Sequence, residues 1–183
     1  FAGEASKKRT PRLPRAVGNV AVITLQGVIE KRCDWFADGT DAVLATIRSA
    51  ITSKAIGGIV LDVDSPGGSS AGLMEFADAI YSLRGNGKPI VAVANPLAAS
   101  AAYWSGSAAE QFIASPSSDV GSVGVWTMHV NQADFLKQIG IDITLISAGP
   151  YKVEGHPFGP LTDEARAEFQ RGVNETYAQF IAA

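Results

Sequence analysis

The sequence predicts an α/β fold built on a mostly parallel sheet. Three features lead there. Short apolar runs at 19–25, 57–64 and 89–94 alternate with longer stretches whose apolar residues recur at helical spacing. The run Gly57-Gly58-Ile59-Val60-Leu61-Asp62-Val63-Asp64 is apolar enough for the interior of a parallel sheet covered on both faces. Strands separated by helices return to the sheet through right-handed crossovers.

Each element follows from its residues. Residues 1–17 are polar and Pro-containing, and read as an irregular N-terminal segment. They carry the one basic run, Lys7-Lys8-Arg9-Thr10-Pro11-Arg12, read as a solvated tail. Asn19–Leu25 is a buried strand that Gly27-Val28-Ile29 extends or bends. Residues 30–40 form a loop, with Trp35-Phe36 as a lid, a subunit contact or a satellite of the core. Thr40 or Asp41 caps a helix to about Ser53, with Val43, Leu44, Ile47, Ala50 and Ile51 on one face. The 57–64 strand is broken by Ser65-Pro66-Gly67-Gly68. A helix from about Ser70 to Leu83 follows, with Leu73, Phe76, Ala77, Ile80 and Leu83 inward and Gly85 as its stop. Pro89–Ala94 is a strand, and an Ala/Ser/Gly helix runs from Ser100 to about Ala109. Gln111–Ala114 is a short strand, and Val120–Val130 a Gly-punctuated strand or pair of strands. Asn131 caps a helix to Ile139, ended by Gly140. Ile141–Ser147 is a strand and 149–160 a Pro/Gly-rich loop. Thr162 caps the last helix, on which Ala165, Phe169, Val173, Tyr177 and Ile181 step by four.

The chain has 183 residues, of which 46% are hydrophobic and 18% charged, enough to bury a substantial core in one domain with or without an appendage. A formal charge of −3 argues against a nucleic-acid platform. The single Cys33 forms no internal disulfide and reads as an incidental thiol. No apolar run approaches the roughly 18 residues of a membrane span. No apolar region follows the basic residues, so the N-terminus does not read as a signal peptide.

The chemistry centres on Pro96-Leu97-Ala98-Ala99-Ser100-Ala101-Ala102-Tyr103-Trp104. A serine where a strand turns into a helix sits beside backbone N–H groups that have no internal acceptor. Its small neighbours let backbones approach closely. A serine hydroxyl needs a base, and three candidates stay open. His129 falls in an apolar strand and reads as structural. His156, between Gly155 and Pro157, is a loop residue or lines a substrate cleft. Lys152 sits in the tightly punctuated Gly149-Pro150-Tyr151-Lys152-Val153-Glu154-Gly155. A lysine serves as base only when neutral, so its ordinary pKa of about 10.4 has to fall by several units through burial. Ser65-Pro66-Gly67-Gly68 is an ordinary strand-to-helix turn or half of an oxyanion hole. In the second case the N–H groups of Gly68 and Ala101 are the two donors, with Gly67 at the cleft.

The stretches "VLDVDSPGGSSAGLMEFADAI", "KPIVAVANPLAASAAYWSGSAAEQFIASPSSDVGSVGVW" and "GIDITLISAGPYKVEGHPFGPLT" together resemble the signal peptide peptidase A family of Ser–Lys peptidases. The segment "AGPYKVEGHPFGPLTDEAR" is most similar to the phage head-maturation branch. The resemblance implies a Clp-protease/crotonase-like spiral of β-β-α units. It implies Ser100 as nucleophile, Lys152 as general base, Gly68 and Ala101 as the oxyanion hole, and Ser122 as the residue that orients the lysine amine. It implies a polypeptide substrate, no metal and no cofactor, and a homo-oligomer in which serine and lysine can meet across a subunit boundary.

The biological role so implied is cleavage of scaffold and portal proteins during phage capsid maturation, in the host cytoplasm or procapsid. The alternative is a bacterial signal peptide peptidase, membrane-associated or extracytoplasmic. No stretch of this sequence reads as the membrane anchor of the bacterial signal-peptide-degrading members, so the expectation is a soluble phage or prophage enzyme. Residues 18–183 would form the peptidase domain, without the family's last C-terminal elements. Two other classes compete. An acyl-CoA enzyme on the same general fold needs a catalytic carboxylate near the site, and none is suitably placed. A non-catalytic scaffold-binding module is the other.

Overall fold

The structure, a computed structural model, describes residues 15–32 and 37–183. The basic run at 7–12, Cys33 and the Trp35-Phe36 pair lie outside the described residues.

Residues 15–17 are not irregular as the sequence suggests. They form β1 (Arg15–Val17), antiparallel to β2 (Val20–Glu30), because Gly18 at φ +59 and Asn19 make a two-residue hairpin turn. β2 alternates Ala21, Ile23 and Leu25 inward and continues to a buried Ile29. β3 (Ala37–Gly39) pairs parallel with its end. Helix α1 (Thr40–Thr52) buries Val43, Ile47 and Ala50, with Leu44 and Ile51 packed beside them. The expected side-chain cap is not made: Gly39 occupies the N-cap position and Thr40 is buried.

At the other end of α1, Lys88 Nζ donates to the carbonyls of Ala50 (3.0 Å) and Ser53 (2.5 Å). A cation there meets carbonyls of the last turn at the negative end of the helix. Lys88→Met is expected to destabilise the fold by about 1 kcal/mol. A melting curve should show a fall of roughly 2–4 °C for a chain of this size.

β4 (Gly58–Gly68) pairs parallel with β2, and β5 (Ile90–Ala99) parallel with β4. Both outrun their predicted lengths. Ser65-Pro66-Gly67-Gly68 does not break β4, because the ladders adjust by shifting register. The shifts lie between Gln26 and Val28 on the β2 side and between Val63 and Ser65 on the β5 side. Helix α2 (Leu73–Ser82) starts later than expected, after Gly72 at φ +76, and buries Leu73, Phe76, Ala77 and Ile80. β5 runs on through a cis Asn95–Pro96 bond to Ala99. Helix α3 (Ala101–Ser107) follows. β6 (Gln111–Ala114) and β7 (Asp119–Gly121) then pair one after the other along β5.

The sheet order is β1-β2-β4-β5-β6, with β3 on β2 and β7 on β5, and every pairing except β1–β2 is parallel. α1 packs on β2, α3 on β4 and β5, and α2 on both of those helices. Their inward residues form one core with Ile59, Leu61, Val63, Ile90, Ala92 and Ala94 of the sheet.

Within the described residues there are two compact units. The first runs to Gly124 and includes Gln179–Ala183; the second is Val125–Ala178. In the first, Phe180 stacks on Trp104 with ring centroids 4.7 Å apart. In the second, α4 (Ala133–Gln138) begins where Asn131 Oδ1 accepts the Ala133 N–H at 3.0 Å, and Gly140 at φ +78 follows it.

The strands expected over 122–130 and 141–147 do not form. An extended segment becomes a strand only where another edge supplies donors and acceptors. Neither stretch finds such an edge among the described residues, and Trp126, Met128 and Ile146 stand exposed.

α5 (Asp163–Ala182) starts as expected, with Thr162 Oγ1 accepting the Ala165 N–H at 3.1 Å. Its covered stripe is Ala165, Phe169, Val173, Thr176 and Phe180, while Tyr177 and Ile181 are exposed. A step of four overshoots the helical repeat of 3.6, so a stripe must drop back by a step of three. On the outer face Arg171 pairs with Glu168 and Glu175, and its hydrogen bond holds the Glu168 carboxyl below its ordinary range. Among the described residues no helix is long and apolar enough to cross a membrane.

Candidate active site

Ser100 occupies the single residue between β5 and α3, at φ +52 and ψ −121. A non-glycine residue with positive φ is uncommon and strained. It persists here because both its backbone groups are held. Its N–H donates to the Gly121 carbonyl of β7 at 2.8 Å, and its carbonyl accepts the Trp104 N–H at 3.0 Å. Its surroundings are small: Ala98, Ala101 and Ala102 are all buried.

Gly67 lies directly against this turn. A Cβ added to it would sit 2.8 Å from Ser100 Cβ, 2.8 Å from the Ala99 carbonyl oxygen and 3.0 Å from the Ala101 nitrogen. Its φ of +101 is the second reason for a glycine here. Gly68 is confined from the other side, where a Cβ would fall 2.0 Å from the Ile29 carbonyl oxygen. Ser69 N–H donates to that same oxygen at 2.8 Å. Alternation along a strand then turns the Gly68 N–H to the opposite edge, the edge on which β5 lies.

Two groups that the sequence reading overlooked hold this arrangement. One is the Gly121 carbonyl. The other is Ser65, fully buried, whose hydroxyl donates to the Gly27 carbonyl at 2.6 Å and accepts the Gly67 N–H at 3.1 Å. Its signal was present in the sequence. Ile59, Leu61, Val63 and Ser65 alternate onto the core face of β4, and a polar residue at a core position is informative.

Ser100, Ala101 and Gly67 are therefore brought together, with Gly68 next to Gly67 along β4. Ser122 directly follows the carbonyl that holds Ser100; it is exposed, at φ +53. Lys152 and His156 fall in the second unit. Lys152 is exposed in a turn, with its N–H donating to the Gly149 carbonyl at 3.4 Å. His156 is half-buried, and its Nδ1 accepts the Phe158 N–H at 3.1 Å, which places the proton of the neutral ring on Nε2. His129 Nε2 donates to the His156 carbonyl at 3.0 Å. Each imidazole thus has one nitrogen committed to backbone of the 156–158 segment.

The fold resembles that of an enoyl-CoA hydratase from Polaromonas sp. JS666, with a TM-score of 0.52, 16% identity, and coverage of 91% of this chain and 77% of that one. The mostly parallel crotonase-type architecture is thus as the sequence implies. In sequence, the chain is 36% identical over 181 residues to the head-tail preconnector protein GP5 of Enterobacteria phage P21, covering 96% of this chain and 36% of that protein. It is 31% identical over 191 residues to the capsid assembly protease C of Escherichia phage lambda, covering 100% of this chain and 43% of that protein. The chain spans less than half the length of either relative. Residues 82–183, from the end of α2 through Ser100 to the last helix, match Peptidase family S49, and the chain belongs to that family.

Proposed function

We propose that the protein is a serine endopeptidase that cleaves scaffold or portal polypeptides during phage capsid maturation. The observation that carries this reading is the Ser100 turn, a strained residue between two stretches of close-packed backbone. The sequence likeness to a capsid assembly protease and a head-tail preconnector protein supports the biological setting.

In this reading Lys152 Nζ takes the Ser100 hydroxyl proton as Oγ attacks the scissile carbonyl. The N–H groups of Gly68 and Ala101 receive the oxyanion, where charge exists only in the transition state. Collapse of the tetrahedral intermediate returns the proton to the leaving amine and leaves an acyl-serine. Water then enters with Lys152 as base again, releasing the acid and restoring the hydroxyl. Ser122 accepts from or donates to the amine and orients it without adding a negative charge. His156 and Gly67 border the substrate.

A neutral amine requires exclusion of water, whereas Lys152 is exposed in the single chain. Bound substrate or a second copy of the chain would supply that exclusion. Exposed apolar side chains near it in sequence, such as Ile146 at 94% and Tyr151 at 73%, favour a homo-oligomer.

The test is casein turnover by the full-length protein. Lys152→Ala is expected to lower turnover by about 10²–10⁴, the range of general-base catalysis. His129→Ala and His156→Ala are expected to keep the mechanism. Retained turnover in Lys152→Ala, with loss in a histidine variant, would replace the lysine by a histidine base.

A further inference from the structure

Ser65 stands where the pattern of β4 calls for an apolar side chain. It is fully buried, and both capacities of its hydroxyl are used. Its two partners are not ordinary ladder groups. Gly27, at φ +77, is the residue skipped where the β2–β4 register shifts between Gln26 and Val28. Its carbonyl, at this irregularity, accepts the Ser65 hydroxyl. The other partner, the Gly67 N–H, belongs to the residue at φ +101 that touches Ser100 and Ala101. On the opposite side the β4–β5 ladder also changes register at Ser65. One hydroxyl thus joins an irregularity in β2 to the turn that faces the nucleophile.

From this geometry we infer that Ser65 is a positioning residue for the oxyanion site. It fixes the Gly67–Gly68 peptides, so that the Gly68 N–H keeps one direction while substrate charge develops. The inference rests on the serine-peptidase reading above. A register shift disrupts the ladder locally, so a side-chain hydrogen bond carries more of the backbone's direction there. In Ser65→Ala the Gly27 carbonyl and the Gly67 N–H both lose the hydroxyl that links them. The space left by one hydroxyl oxygen is too small for a water to replace it. The Gly67–Gly68 turn then relaxes, and a donor that has rotated away stabilises the transition state less.

The experiment compares the full-length wild type with Ser65→Ala and Ser65→Cys. It measures kcat and KM on a peptide substrate, and hydrogen exchange at the Gly67 amide with Leu61 in the same strand as control. Both variants are expected to lower kcat by about tenfold to a hundredfold, less than the 10²–10³ for outright loss of a donor. KM should stay within about twofold, since ground-state binding is not the target. The Gly67 amide should exchange at least about tenfold faster while Leu61 stays protected.

Cysteine refills the site with a larger sulfur but without strong hydrogen bonds, so recovery of kcat in Ser65→Cys would mean packing alone and would overturn the inference. An active wild type with kcat unchanged in Ser65→Ala would overturn it and leave the peptidase reading intact. If the wild type shows no turnover, the peptidase reading falls, and exchange at Gly67 still decides the bracing: faster exchange supports it and unchanged exchange overturns it. If Ser65→Ala does not fold, Ser65→Cys carries the same measurements.

Discussion

Ser100→Gly is expected to abolish turnover and, at the same time, to raise the melting temperature. The activity loss follows from removing the proposed nucleophile, a deletion that costs on the order of 10⁶ in kcat in serine peptidases. The stability gain follows from the backbone. A side chain at φ +52 and ψ −121 is strained by about 1–3 kcal/mol, and glycine adopts those angles without that strain. Part of the relief is offset by the greater freedom of glycine in the unfolded chain, about 0.5–1 kcal/mol. A net gain of about 1 kcal/mol corresponds to roughly 2–4 °C. Ser100→Ala is the comparison: it should lose activity to the same degree without gaining stability, because alanine keeps the Cβ. Calorimetry and a turnover assay on the three proteins check both halves. A Ser100→Gly protein that melts below Ser100→Ala, or that keeps more than about a hundredth of the activity, would remove Ser100 from the centre of the site.

Gly68→Ala is expected to damage fold and function together. The obstacle is the backbone of β2, with Ile29 O, N and C at 2.0, 2.5 and 2.7 Å from the added carbon. Backbone in a paired strand cannot swing aside as a side chain can, so the ladder between β2 and β4 must open locally. Overpacking of this kind costs about 1–3 kcal/mol or more, so a fall of several degrees is expected. Activity should fall by about 10²–10³ as the proposed oxyanion donor moves. Gly57→Ala provides the contrast. Its Cβ would meet first the amide end of the Asn19 side chain at 2.5 Å, a group free to turn away. Equal melting of the two variants would show that the Ile29 contact does not confine Gly68.

Local pattern carried much of this fold. The alternation in β2 and β4 and the helical stripe of α1 and α2 each bury a contiguous face, and such faces can be read from spacing alone. The failures share a cause, which is that a strand is a relation between two segments. Residues 15–17 close a stretch that reads as irregular, and became a strand because a Gly18-Asn19 turn folds them onto β2. Residues 141–147 looked like a buried strand and remain without a ladder. Ser65-Pro66-Gly67-Gly68 carried the correct small residues but the wrong local conformation, since pairing on both sides keeps it extended. At the site, the close approach of Gly67 to Ser100 was foreshadowed by two adjacent glycines. The hold of the Gly121 carbonyl on Ser100 was not, because a backbone acceptor leaves no trace in residue type.

The seam between β5 and α3 is filled by Ala92, Ala94, Ala98, Ala101 and Ala102, each at most 2% exposed. A Cβ on Gly106 would come within 2.7 Å of the Phe112 ring. Methyl groups have no alternative rotamers to populate. Warming therefore has few side-chain rotamers to loosen beneath Ser100 before the main chain itself moves.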